Sequence, residues 1–135
     1  MKLITYLTFA GECENALNFY KDCLNGKILQ MSRMGDSQME VAEPLKNKIM
    51  HARLEFEDNI LYMSDTFSPD SVSQGNNVSL SLDVENVDKM EKLFQKMSEG
   101  GTVKMPLQDT FWGAKFGMFI DKFGIHWMMN CETKK

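Results

Sequence analysis

The chain has 135 residues, 43% of them hydrophobic and 25% charged, with a formal net charge of −4. That length supports one domain with a sizeable core, and the excess of carboxylates over Lys and Arg excludes a nucleic-acid surface built on positive charge. No apolar run approaches the roughly 18 residues of a membrane span, and the opening Met1-Lys2-Leu3-Ile4-Thr5-Tyr6 turns polar too early for a secretory signal.

In chain order, Ile4 to Phe9 reads as a first strand. An amphipathic helix follows, with Cys13, Ala16, Tyr20 and Cys23 on one face at three- and four-residue steps. Gly26 stops it, in the role of the left-handed residue that commonly closes a last helical turn. Strands are predicted over about Lys27 to Met34, Lys48 to Glu57 and Asn59 to Asp65, with Asp58-Asn59 as a hairpin turn. The polar segment from Gly35 to Asn47, with its one proline, reads as a mobile loop. "FSPDSVSQGNN", Phe67 to Asn77, has the composition of a linker.

"NVSLSLDV" then reads as a strand, and Val87, Met90, Phe94 and Met97 mark a second amphipathic helix ending at Gly100. Three more strands are predicted, about Thr102 to Phe111, Gly113 to Asp121 and Ile125 to Cys131, with Lys122-Phe123-Gly124 as the last turn. Cys13, Cys23 and Cys131 are an odd count with no paired spacing. On one helix, Cys13 and Cys23 would lie about 15 Å apart, too far for a disulfide. Unpaired thiols point to a reducing cytoplasm.

A repeat underlies this order. "ITYLTFAGECENALNFYKDCLNG" lies over "VSLSLDVENVDKMEKLFQKMSEG" without a gap, placing Ile4 on Val78, Thr5 on Ser79, Cys13 on Val87, Ala16 on Met90, Tyr20 on Phe94 and Gly26 on Gly100. The ends superpose as Ile60-Leu61-Tyr62-Met63 over Ile125-His126-Trp127-Met128. The prediction is an α+β fold of two tandem βαβββ units in a single domain, residues 1–135. Repeat 1 covers residues 1–66, repeat 2 residues 76–131, and residues 67–75 join them.

This doubled pattern, with "NNVSLSLDV", "NFYKDCLNGKI" and "MPLQDTFWGAKFGMFIDKFGIHWMMN", resembles the vicinal oxygen chelate superfamily, which includes glyoxalase I, extradiol dioxygenases and bleomycin-resistance proteins. Within it the chain looks most like the PhnB-like branch, whose domain also carries a demethylubiquinone methyltransferase label. The resemblance implies that the two units curl into a mixed-sheet cup and that the protein is a homodimer. It also implies four metal-ligand positions, which fall here on Thr5, Met63, Ser79 and Met128. Neutral hydroxyls and thioethers are poor ligands for hard or borderline divalent ions, so the expected cup holds no metal. No glycine-rich GxGxxG run follows a strand to hold S-adenosylmethionine, so no cofactor is expected either.

Strand alternation assigns faces. Val78, Leu80, Leu82 and Val84 are expected under the helices, with Ser79, Ser81 and Asp83 toward the cup. Ile125, Trp127 and Met129 are expected in the core, with His126, Met128 and Asn130 toward the cup. Met50, Ala52, Leu54 and Phe56 are expected to be buried, with His51, Arg53 and Glu55 opposite. Thr5, Leu7, Leu61 and Met63 are expected to line the hollow.

The expected ligand-binding residues are therefore Thr5, Met63, Ser79, Ser81, Trp112, His126, Met128 and Asn130. His51, Arg53 and Glu55 equally read as the wet face of a half-exposed strand, His126 as a structural histidine, and Trp112 as packing over a hairpin. The function expected is metal-free binding of a small, partly apolar organic molecule. A metal-independent enzyme would instead use His126 or His51 as general base, with Arg53 holding an anion. A scaffold with no ligand is the third reading.

Overall fold

A computed structural model describes residues 1–133. The first unit runs β1 (Thr5–Phe9), α1 (Cys13–Leu24), β2 (Lys27–Arg33), β3 (Ile49–Phe56) and β4 (Asn59–Asp65). The second runs β5 (Leu80–Asp83), α2 (Val87–Ser98), β6 (Thr102–Asp109), β7 (Ala114–Ile120) and β8 (His126–Glu132). Each unit is thus βαβββ, and each folds a four-stranded mixed sheet, ordered β1-β4-β3-β2 and β5-β8-β7-β6. The β1–β4 and β5–β8 pairs are parallel and the rest antiparallel. The chain divides into one compact unit over Met1–Ser73 and another from Gln74 onward. Among the described residues no helix is long and apolar enough to cross a membrane.

Both helices are twelve residues long and begin at the positions that the repeat superposes, Cys13 and Val87. Their starts differ chemically. Asn86 caps α2 by accepting a hydrogen bond from the Lys89 amide at 2.8 Å. α1 has no side-chain cap of its own. The Asp65 carboxylate at the end of β4 serves instead, accepting from the Gly11 and Cys13 amides and, through its other oxygen, from the Ile49 amide, each at 2.9 Å. One buried carboxylate therefore ties the helix start to β3 and β4. The ends differ too: in the first unit the left-handed residue is Asn25 (φ 53°) rather than Gly26, and in the second it is Gly100 (φ 77°).

α1 buries Cys13, Ala16, Leu17, Tyr20 and Leu24 against β3 and β4, where Ala52, Leu54, Leu61 and Met63 are buried. α2 buries Met90, Phe94 and Met97, and the Phe94 ring meets Phe119 edge-on at 5.1 Å. Each large apolar side chain so buried contributes about 1.5–3 kcal/mol. Gly117 is required by this packing, since a Cβ there would lie 2.8 Å from Phe94 Cε2 and 2.9 Å from Leu107 Cδ2. Trp127 is core, with its indole N–H donating to Asp121 at 2.8 Å. The same Asp121 carboxylate accepts from the Phe123 and Ile125 amides, pinning the β7–β8 turn.

The first-unit strands depart from expectation by one residue. Cross-strand partners share a face, so Leu7, Met63 and Ala52 lie on one face, as do Thr5, Leu61 and Leu54. Asp65 belongs to that same face and reaches the α1 amides, so this is the helix-covered face. Thr5, Leu7, Leu61 and Met63 therefore point under α1 and not into a hollow. In β1 the cause is the turn before each helix. Ala10-Gly11-Glu12 separates Phe9 from Cys13, whereas only Glu85-Asn86 separates Val84 from Val87. The extra residue has its glycine at φ 109°, a backbone conformation that side chains rarely adopt. A slip of one residue exchanges every side chain between the faces, so in β1 Phe9 matches Val84 and Tyr6 matches Ser81. In β4 Tyr62 matches Met128, because Ala52 and Met63 are paired across a connection one residue shorter than that between Gly117 and Met129.

Smaller differences follow the same logic. The β3–β4 hairpin turns on Glu57 (φ 43°) and Asp58 (φ 67°), one residue earlier than predicted. The pairing of β2 with β3 skips Met50, leaving Met50 half-buried and Ile49 in the core. Val78 precedes β5 and is exposed rather than under a helix. The segment predicted as a mobile loop has a hydrogen-bonded neck: the Met34 amide donates to the Lys48 carbonyl and the Gly35 amide to that of Lys46, both at 2.9 Å.

Candidate functional site

Each sheet has a helix of its unit on one face only, and the opposite face is where large side chains remain partly exposed. In the first unit, register places Tyr6, Tyr62, Arg53 and Gln30 in one row across that face, with Thr8, Ser64, His51 and Ser32 in the next. The Tyr6 hydroxyl and His51 Nδ1 are 3.1 Å apart, and Arg53 Nε donates to His51 Nε2 at 3.4 Å. The rings interlock: Tyr6 stacks on His51 at 5.7 Å, and Tyr62 meets His51 edge-on at 5.1 Å. The Arg53 guanidinium lies 4.8 Å from the Tyr62 ring centre, within cation–π range.

The bonding fixes a protonation pattern. Arg53 Nε is only ever a donor, so His51 Nε2 presents its lone pair. The neutral ring then carries its proton on Nδ1, and Tyr6 accepts it, leaving the phenolic proton out of that bond. Partial burial, and then the Arg53 charge, hold the His51 pKa below its ordinary 6.5, consistent with a neutral imidazole.

In the second unit the corresponding row is Ser81, Met128, Met118 and Met105, flanked by Asp83, Asn130, Phe116 and Gln108. His126 opens β8 opposite Ile120. Among the described residues, no carboxylate bonds to either imidazole. Trp112 lies in the β6–β7 turn, 57% exposed, edge-on to Phe111 at 5.0 Å and to Phe116 at 6.2 Å. Ser79 precedes β5 and is half-buried.

Of the expected site residues, Ser81, His126, Met128 and Asn130 thus fall on the helix-free face of their sheet, and Trp112 stands at its hairpin. Thr5 and Met63 fall on the helix-covered face, for the reason of register given above. Sequence reading missed Tyr6 and Tyr62, which take the places assigned to them. The signal was present: in Leu7-Thr8-Phe9 and Leu61-Tyr62-Met63 the apolar members are the odd-numbered residues, as a core-facing strand requires.

The corrected equivalent positions, Tyr6, Tyr62, Ser81 and Met128, offer two phenols, a hydroxyl and a thioether. This donor set does not fit a hard or borderline divalent cation. Among the described residues no three His, Cys, Asp or Glu side chains converge on a possible ion site.

Comparison with known proteins is consistent with the fold. A crystal structure of protein PA1353 from Pseudomonas aeruginosa superposes with a TM-score of 0.89 at 42% sequence identity, covering 99% of each chain. The PhnB protein of Bacillus cereus, which carries a 3-demethylubiquinone-9 3-methyltransferase label, superposes at 0.84 with 25% identity over 97% of this chain and 99% of that one. Protein YjdN of Escherichia coli (strain K12) is 29% identical over 140 residues, spanning 96% of this chain and 95% of that protein. A family model matches residues 2–129, and the chain belongs to the Glyoxalase/Bleomycin resistance protein/Dioxygenase superfamily.

Proposed function

We propose that this PhnB-like protein binds a small, partly apolar organic molecule against the helix-free faces of its sheets, without a metal, as a cytoplasmic homodimer. The observation that carries the reading is the Ser81–Met128–Met118–Met105 row with its neighbour Phe116. These are polarisable, adaptable side chains on a face with no helix of the unit over it. Among them Met118, Met128, Met105 and Phe116 are half-buried, neither sealed into the core nor fully solvated. The donor set at the metal-ligand positions supports the metal-free part of the reading.

A general-base role has less to stand on. Both nitrogens of His51 are engaged, by Tyr6 and Arg53, whereas a base needs a free lone pair within reach of substrate. His126 has no carboxylate to orient it. The methyltransferase label of the Bacillus cereus relative finds no glycine-rich donor loop in this sequence.

The test is a thermal-shift screen of small metabolites and antibiotics, because a molecule that binds the folded state raises its stability by about 2.7 kcal/mol at a hundred times its dissociation constant. A hit whose effect disappears in Met128→Lys supports the reading. No hit from a broad library favours a ligand-free scaffold, and a hit indifferent to Met128→Lys places the molecule elsewhere. Light scattering should read twice the chain mass of 15.5 kDa.

A further inference from the structure

We infer that Tyr6, His51, Arg53 and Tyr62 form, on the helix-free face of the first unit's own sheet, an oxyanion anchor that takes the carboxylate or phosphoryl group of a small molecule of the kind proposed above. The inference rests on that reading and adds the chemical class of the ligand.

The first observation is what the cluster leaves unused. The hydrogen-bond chain runs from Arg53 Nε to His51 Nε2, and from His51 Nδ1 to the Tyr6 hydroxyl. The imidazole's one lone pair is consumed inside the cluster. Left unused by it are the Tyr6 hydroxyl proton and the terminal N–H groups of Arg53. A surface that offers donors selects a ligand that offers acceptors, and a fixed guanidinium fork matches paired oxygens of a carboxylate or phosphate.

The second observation is that Arg53 lacks an acidic partner. Its cross-strand neighbours are Gln30 and Tyr62, and it makes no ion pair among the described residues, although Glu55 lies two positions along the same face. Lysines such as Lys21, Lys27 and Lys96 also make none, but Arg53 differs from them in being held by His51 and Tyr62 with no carboxylate on its guanidinium. The protein's other arginine, Arg33, is held by both oxygens of Glu14, at 2.9 and 2.8 Å.

The third is that Arg53 is already held. Its Nε is tied to His51, and its guanidinium lies against the Tyr62 ring. Ordering a long side chain on binding costs conformational entropy, and here much of that ordering precedes the ligand. The corresponding row of the second unit, Ser81–Met128–Met118–Met105, contains no cation. The anchor is therefore a feature of the first repeat alone.

The test titrates the full chain with benzoate, phenyl phosphate and the neutral isostere benzamide while following the ring proton resonances of Tyr6, His51 and Tyr62. Benzoate or phenyl phosphate is expected to shift all three rings saturably, and whichever binds tighter assigns the oxyanion. Benzamide at the same concentration should leave them in place. Arg53→Gln should weaken the anion at least tenfold while retaining the wild-type melting temperature, and Arg53→Lys, which keeps the charge without the fork, should fall between. Benzamide binding as tightly as the anions, or Arg53→Gln binding them unchanged, would overturn the anchor and leave small-molecule binding intact. If none of the probes moves these rings, the anchor is overturned, and small-molecule binding falls with it only if the thermal screen is also blank.

Discussion

Asp65 and Asp121 are the two buried polar or charged side chains of the described chain, and each accepts at least three hydrogen bonds. A buried donor that loses its acceptor costs about 1–3 kcal/mol. Asp65→Ala strands three backbone amides and should lower unfolding free energy by about 3 kcal/mol or more in urea titration; a loss under about 1 kcal/mol would mean that water replaces the carboxylate. His51 makes a second prediction. Its folded pKa lies below the ordinary 6.5, so the unfolded chain binds more protons than the folded one. Stability therefore rises with pH through the window just beneath 6.5 and falls on acidification. Melting temperatures across that window should slope less in His51→Gln, and an unchanged slope would assign the acid loss to other groups. Cys13 behaves oppositely to a reactive thiol: burial first, and then Asp65 and Glu14, push its pKa up to about 12.

At the scale of elements, the register of β1 and β4 decides which residues are core and which are site. Met63→Ala should cost about 2–5 kcal/mol, as large-to-small changes in a packed core do. Tyr6→Ala, at a position 47% exposed, should cost under about 1 kcal/mol and instead weaken the binding of benzoate and phenyl phosphate. The opposite outcome in denaturant melts, a tolerant Met63 and a sensitive Tyr6, would restore the faces first read from the sequence. The gapless repeat brought the two helix starts, Cys13 and Val87, into register, because helical spacing and capping are local. It misplaced the face of β1 because Gly11 adds one residue between strand and helix, and that of β4 because the connection from Ala52 to Met63 is one residue shorter than that from Gly117 to Met129. An ungapped overlay absorbs both silently.

For the whole molecule, the donor chemistry predicts that EDTA leaves the melting temperature unchanged and that elemental analysis finds less than stoichiometric divalent metal. A chelator-induced drop of several degrees would contradict it.

What the sequence by itself determined was the order of elements, the doubled βαβββ plan and the two amphipathic helices, which follow from local periodicity, turn residues and the repeat, and, through the resemblance of its motifs, the superfamily. What only the tertiary structure decided was which side chains meet. The Asp65 clasp joins residues 52 and 54 positions apart in the chain, and the Tyr6–His51 contact spans 45. Those pairings depend on strand register, and register is set jointly by the turn before the helix and by burial of one sheet face. One residue more before α1 and one fewer between the paired Ala52 and Met63 are enough to trade a threonine and a methionine for two tyrosines.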